Sequence, residues 1–147
     1  MQSMEVTAQT KEELQQEAKA FVSRLSQKKE GATVVALSGE LGAGKTTFVQ
    51  GVAHALGVEE HITSPTFVVE KIYELSGQPF SHLVHIDAYR LKNAQELASL
   101  GFHTLVTDPT NLMCIEWAEN VQELIPSDAI RVTLSVPKEG GRHISYA

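Results

Sequence analysis

The stretch Val34 to Thr47, VVALSGELGAGKTT, constrains this chain more than any other. A run of apolar and β-branched residues leads into the loop Gly39, Glu40, Leu41, Gly42, Ala43, Gly44, and a helical pattern starts at Lys45, Thr46 and Thr47. Gly39, Gly44, Lys45 and Thr46 fill the pattern G-x-x-x-x-G-K-[ST], which carries meaning only between a strand and a helix, the context found here. The physical reason is charge. A polyphosphate needs several donors converging on it, and a glycine-rich loop can turn its backbone N–H groups inward without a Cβ in the way. Lys45 then brings an ammonium to the β- and γ-phosphates, the Thr46 hydroxyl is a ligand for Mg²⁺, and the helix N-terminus adds partial positive charge. Residues 39–47 are therefore the expected nucleotide cradle.

Hydrolysis or transfer needs more: an acid near Mg²⁺ and a group that positions the attacking oxygen. Two acids lie at the ends of apolar runs, Glu116 after LMCI and Asp87 after LVHI. Each has an acid at the carboxyl end of a buried strand, and one sequence does not rank them. The favoured assignment puts Glu116 on Mg²⁺ through water and Asp87 on the attacking water. Thr66, in Ser64-Pro65-Thr66, stands where a switch segment senses the γ-phosphate, unless its hydroxyl merely completes a turn. Arg90, just after Asp87, is the only arginine expected near the phosphate side. Trp117 walls the site or presents a partner surface, unless it simply packs, as an aromatic after a core strand usually does.

The remaining chain supports an α/β fold. Thr10 and Glu13 form a capping box for a helix expected from Lys11 to Gln27, after a brief strand over Met4 to Ala8. Val34 to Ser38 reads as a central parallel strand, and the helix after the loop runs to Leu56 and stops at Gly57. Gly51 inside that helix marks close packing. Thr66 to Leu75 and Phe80 to Ile86 form a hairpin around Ser-Gly-Gln-Pro; a helix opened by Asn93 and Glu96 ends at Gly101, followed by a loop. Leu112 to Ile115 is a second central strand, and Ile130 to Val136 with the closing HISYA make two antiparallel strands at one side. The sum is a mixed sheet of about seven strands flanked by helices, one domain over 1–147.

Composition narrows the function classes. The 147 residues carry a net charge of −6, and the four arginines (Arg24, Arg90, Arg131, Arg142) are scattered, which argues against direct nucleic-acid binding. No apolar run reaches membrane-spanning length and the first residues lack a secretory pattern, so a soluble cytoplasmic protein is expected. The single cysteine, Cys114, sits in an apolar run and is expected to be buried and inert. His82 and His85, three apart on a strand, face opposite ways and do not share a metal.

Taken together, GELGAGKTTF, SPTF, HIDAYRL and IEW, in this order, resemble the TsaE (formerly YjeE) family, the small bacterial P-loop ATPases of tRNA threonylcarbamoyladenosine synthesis. The likeness covers nearly the whole chain. It implies a protein that binds ATP and Mg²⁺, hydrolyses slowly alone, and works with TsaB and TsaD, which transfers threonylcarbamoyl to adenosine 37 of tRNA. Hydrolysis would reset that complex, and tRNA would be met only through it. By motif, Gly42 to Thr46 would hold phosphates, Thr46 and Glu116 would serve Mg²⁺, and Thr66 and Asp87 would occupy switch or catalytic positions.

Two other functions fit a phosphate loop. A small-molecule kinase would need a basic lid to exclude water, and no basic cluster is present. A non-catalytic switch would bind nucleotide without turnover. The chain has no guanine-selecting N/T-K-x-D, which favours ATP, and too few arginines for an obvious transition-state clamp, which predicts slow turnover.

Overall fold

The computed structural model describes residues 4–60 and 69–147. Over that range the chain runs β1 (Met4–Ala8), α1 (Lys11–Val22), β2 (Thr33–Ser38), α2 (Lys45–Ala55), β3 (Glu70–Glu74), β4 (His82–Asp87), α3 (Ala94–Ala98), α4 (Phe102–Val106), β5 (Asn111–Glu116), β6 (Ile130–Ser135) and β7 (Arg142–Tyr146). The strands form one seven-stranded sheet in the order β1-β7-β6-β2-β5-β4-β3. β6, β2, β5 and β4 are parallel neighbours, while β3, β7 and β1 add antiparallel edges, so the sheet is mixed as expected.

Alternation along the central strands divides the core in two. Val35, Leu37, Leu83, Cys114 and Leu134 face α1 and α2, while Val34, Ala36, Ile86, Met113 and Ile115 face α3, α4 and the chain after β5. The first layer is anchored by Phe21, whose ring stacks on Tyr146 at 5.1 Å and meets Phe48 at 5.6 Å. Each of these aromatic pairs adds about 0.5–1.5 kcal/mol beyond its buried area. They fix α2, and with it Lys45 and Thr46, over the carboxyl ends of β2 and β5.

The local signals explain the elements and their limits. The Glu13 N–H donates to Thr10 Oγ1 at 3.0 Å, while the Glu13 carboxylate reaches back one residue further than a standard capping box, to the N–H of Gln9. α1 ends at Val22, short of Gln27, because the N–H groups of Arg24 and Leu25 bond three residues back. The apolar spacing survives as turns and still buries Leu25. α2 stops at Ala55, with Gly57 at φ +82° just beyond the Leu56 cap. A Cβ on Gly51 would lie 2.8 Å from both Ala18 Cβ and the Gln15 carbonyl oxygen, so its lack of a side chain is what lets α1 and α2 approach.

One loop and several element bounds differ from expectation, and one stretch carries turns that no sequence signal had indicated. The loop expected after Gly101 is α4: Gly101 adopts φ +83° and opens a one-turn helix that seats the buried Phe102 in the second core layer. Trp117 is followed by 3₁₀ turns over Ala118–Leu124, which bury Ala118 and Val121. β4 begins at His82 rather than Phe80, since Phe80 is spent in the core from the preceding turn. Of the strand expected over Thr66 to Leu75, Thr66 and its neighbours through residue 68 lie outside the described residues, and β3 covers Glu70–Glu74. No helix among the described residues is long and apolar enough to cross a membrane.

Candidate nucleotide site

β2 hands the chain to the glycine-rich loop at the carboxyl end of the sheet, and α2 starts where the loop ends. Two glycines there are dictated by geometry. Gly39 takes φ +147° with its α-carbon against the neighbouring strand, where a Cβ would overlap the Leu134 carbonyl oxygen. Gly44 takes φ +106° as the N-cap of α2, and a Cβ there would sit 2.7 Å from the Leu14 side chain. Between them the Glu40 carbonyl accepts the Ala43 N–H at 3.1 Å, the Ala43 methyl is fully buried, and Leu41 projects outward, 74% exposed. The loop is thus pinned at Ala43 and open at Leu41.

Lys45 is buried although it is a lysine, and its Nζ donates to the carbonyls of Gly39 (2.5 Å) and Glu40 (3.0 Å). It also lies 4.0 Å from the centre of the Trp117 ring. Burial pulls the ammonium below the ordinary lysine range, while the charges of Glu116, Glu119, Asp87 and Glu40 oppose that shift. Trp117 reaches this position at a backbone cost: it is the non-glycine residue with positive φ (58°) among those described, in the left-handed region that costs about 1–2 kcal/mol. Its ring also packs against Tyr89, with centroids 4.9 Å apart. Trp117 therefore does both: it lines the cavity and packs against the second core layer.

Across the loop, β4 and β5 place two acids side by side, Asp87 opposite Glu116 in parallel register. The Thr46 hydroxyl donates to Glu116 Oε1 at 2.9 Å, so the two residues assigned to Mg²⁺ are in contact. Asp87 lines the same cavity of about 370 Å³, which is bounded by Gly42, Gly44, Lys45, Thr46 and Thr47 on one side and Tyr89, Arg90, Glu116 and Trp117 on the other. Asp87 Oδ1 also accepts the Tyr89 N–H at 3.0 Å, fixing the turn that follows β4. The expected residues Gly39, Glu40, Leu41, Gly42, Ala43, Gly44, Lys45, Thr46, Thr47, Asp87 and Glu116 thus converge on one loop and the adjacent strand ends. Thr66 lies outside the described residues.

Among the described residues Arg90 is the arginine that lines this cavity, in keeping with its expected place. Sequence reasoning missed Arg142, at the start of β7, which donates to the loop from outside the cavity, from Nη2 to the Gly42 carbonyl at 3.1 Å and from Nη1 to the carbonyl of its neighbour Gly141. The contact spans one hundred residues of sequence and depends on β7 lying beside β6, so nothing local announced it. The second residue missed is His85, fully buried, with Nε2 2.5 Å from Glu116 Oε2. Its signal was available in part, since it stands two residues before Asp87 in an otherwise apolar strand and so shares that residue's face. Cys114 is buried as expected, and the described residues hold no cluster of three or more histidines, cysteines or acids able to bind a metal by themselves.

A mixed α/β sheet with a glycine-rich strand-to-helix loop, a lysine buried in that loop and acids at the adjoining strand ends defines the class of this protein. The model of the family "Threonylcarbamoyl adenosine biosynthesis protein TsaE" matches residues 8–144. The tRNA threonylcarbamoyladenosine biosynthesis protein TsaE of Treponema pallidum is 39% identical over 118 residues, 80% of this chain and 84% of the relative. The protein of the same name from Bacillus subtilis is 31% identical over 133 residues, 89% and 79% of the two chains. The crystal structure of Bacillus subtilis YdiB superposes with a TM-score of 0.78 at 25% identity, covering 99% of this chain and 84% of that one. The chain belongs to the TsaE family.

Proposed function

We propose that the protein is a Mg²⁺-dependent, weakly hydrolysing ATPase that serves threonylcarbamoyladenosine formation at position 37 of tRNA, acting with TsaB and TsaD to reset their complex. The observation that carries this proposal is the contact between the Thr46 hydroxyl and the Glu116 carboxylate beside the buried Lys45. A hydroxyl and a carboxylate held 2.9 Å apart at the mouth of a glycine-rich loop form an oxygen donor set suited to a hard cation that keeps part of its water shell. The loop also fits phosphate. Among the described residues the hydrogen bonds of Lys45 Nζ go to the loop's own carbonyls, weak partners that an anionic oxygen would replace with a charge-assisted bond.

In this reading the backbone of Gly42 to Thr46 and the Lys45 ammonium bind and orient the β- and γ-phosphates, and Thr46 with Glu116 holds the ion. When bound, Mg²⁺ supplies charge neutralisation to the phosphate oxygens. Asp87, beside Glu116, orients or deprotonates the attacking water, and Trp117 with Tyr89 shields the lysine from solvent on one side. Slow turnover alone follows from the arginines: Arg90 is exposed at the mouth, and Arg142 is engaged by carbonyls behind the loop. An arginine finger is worth about 10³–10⁵ in rate, so a partner that completes the site would raise it steeply.

The test is steady-state ATP hydrolysis by the protein alone and with purified TsaB and TsaD, with Glu116→Ala as the background. Stimulation by the partners that is lost in Glu116→Ala is the expected result. ATP bound without turnover under either condition would instead favour a nucleotide switch, and turnover only with an added phosphoryl acceptor would favour a kinase.

A further inference from the structure

The environment of Glu116 is more specific than its role as an acid at a strand end requires. In the parallel pair β4–β5, His85 stands opposite Cys114 and Asp87 opposite Glu116, so His85 lies one step deeper than the acids. His85 is fully buried, between the apolar Val84 and Ile86, at a position where the strand's pattern would ordinarily carry an aliphatic residue. Its Nε2 meets Glu116 Oε2 at 2.5 Å, whereas Glu116 Oε1 takes the Thr46 hydroxyl. A carboxylate only accepts, so the Nε2–H is the donor. The other ring nitrogen, Nδ1, is buried without a hydrogen-bond partner among the described residues.

A buried imidazole that leaves one nitrogen unsatisfied costs free energy, and the contact it makes in return is the one to Glu116. The last torsion of a glutamate side chain is broad and two-fold, so a carboxylate held by Thr46 alone would be free to turn its second oxygen toward Lys45. With His85 behind it, one oxygen is fixed at the back and the other is presented to Thr46 and the cavity. We propose that His85 is a positioning residue for the ion site, setting the orientation of the Glu116 carboxylate so that the Thr46–Glu116 pair is ready to receive Mg²⁺. This rests on the assignment of Glu116 to Mg²⁺. Partners behind a metal-serving group typically contribute about 10–100-fold in metal affinity.

The experiment measures affinity for a fluorescent ATP analogue in EDTA and across a Mg²⁺ titration, together with thermal melting, for the wild type, His85→Leu, His85→Gln, Glu116→Gln and the double variant His85→Leu/Glu116→Gln. His85→Leu, which has no donor, is expected to raise the Mg²⁺ midpoint about 10-fold or more with unchanged affinity in EDTA. His85→Gln, whose amide nitrogen extends to about the place of Nε2, is expected to recover most of that loss. In the Glu116→Gln background His85→Leu should add nothing. A wild-type Mg²⁺ midpoint in His85→Leu beside an impaired Glu116→Gln would overturn the role of His85 alone, as would equal losses in the single and double backgrounds. An unimpaired Glu116→Gln would overturn the metal assignment itself. If His85→Leu does not fold, His85→Asn replaces it: its shorter amide cannot reach Glu116, so it should show the shift that His85→Gln lacks, and equal midpoints would refute the proposal.

Discussion

Cys114 offers a test of the central strand's burial in which the sign and the size both come from the structure. The thiol lies on β5 opposite Val35 and His85 and is fully buried. Burial first, and the charge of Glu116 second, push it up to about 12 from an ordinary 9.0. In the unfolded chain the thiol ionises near its ordinary value, so above pH 9 the unfolded state sheds a proton that the folded state keeps. The stability associated with the neutral thiol is therefore complete below about pH 9 and is lost as pH rises toward about 12. The loss runs at about 1.4 kcal/mol per pH unit, or about 2 kcal/mol by pH 10.5. Urea unfolding of the wild type and Cys114→Ala at pH 8, 9.5 and 10.5 measures it. Alanine leaves a small void whose cost does not vary with pH, and the raised Tyr146 hydroxyl, buried and bonded to Glu17, is common to both proteins and cancels. The wild type should thus lose about 2 kcal/mol more than the variant between pH 8 and pH 10.5. Parallel pH profiles would refute the argument.

Three further outcomes are expected. Gly51→Ala should lower the melting temperature by a few degrees, because a Cβ 2.8 Å from Ala18 and the Gln15 carbonyl overpacks the α1–α2 contact by about 1–3 kcal/mol, more than the ~1 kcal/mol that alanine gains as a helix former; an unchanged or higher melting temperature would contradict it. Asp87→Asn should keep nucleotide affinity but lose about 10²-fold or more of the hydrolysis measured with TsaB and TsaD, and normal turnover would remove Asp87 from the chemistry. Trp117 is the chain's single tryptophan and its ring lies 4.0 Å from Lys45 Nζ, so nucleotide that draws the lysine away should change its fluorescence. The same titration of Lys45→Ala should leave fluorescence flat, and a flat response in the wild type would contradict the lysine's assigned movement.

What the sequence disclosed, it disclosed through short-range chemistry. The loop glycines, the Thr10 cap, the doubly buried runs before Ser38 and Glu116, and the β6–β7 hairpin are all written within ten or so residues of where they act. Gly51 announced a close helix contact by its mere presence inside a helical pattern. The 3₁₀ turns after Trp117 and the one-turn helix α4 were not visible, because five to seven residues are too few for a period of 3.6 to declare itself. Arg142 and His85 were missed for a different reason. Arg142 meets Gly42 only because β7 closes onto β6 beside the loop, and His85 meets Glu116 only through the register of β4 on β5. A strand's own pattern records which face a residue takes but not which neighbour lies across from it.

The central claim is that residues 39–47, with Glu116, hold a nucleotide together with Mg²⁺. Calorimetric titration of ATP into the wild type and into Lys45→Ala, each with Mg²⁺ and with EDTA, tests it most directly. Saturable binding by the wild type, strengthened by Mg²⁺ and abolished or greatly weakened in Lys45→Ala, is the predicted result. Equal affinity in the two proteins, or no heat of binding in the wild type with Mg²⁺ present, would contradict the account.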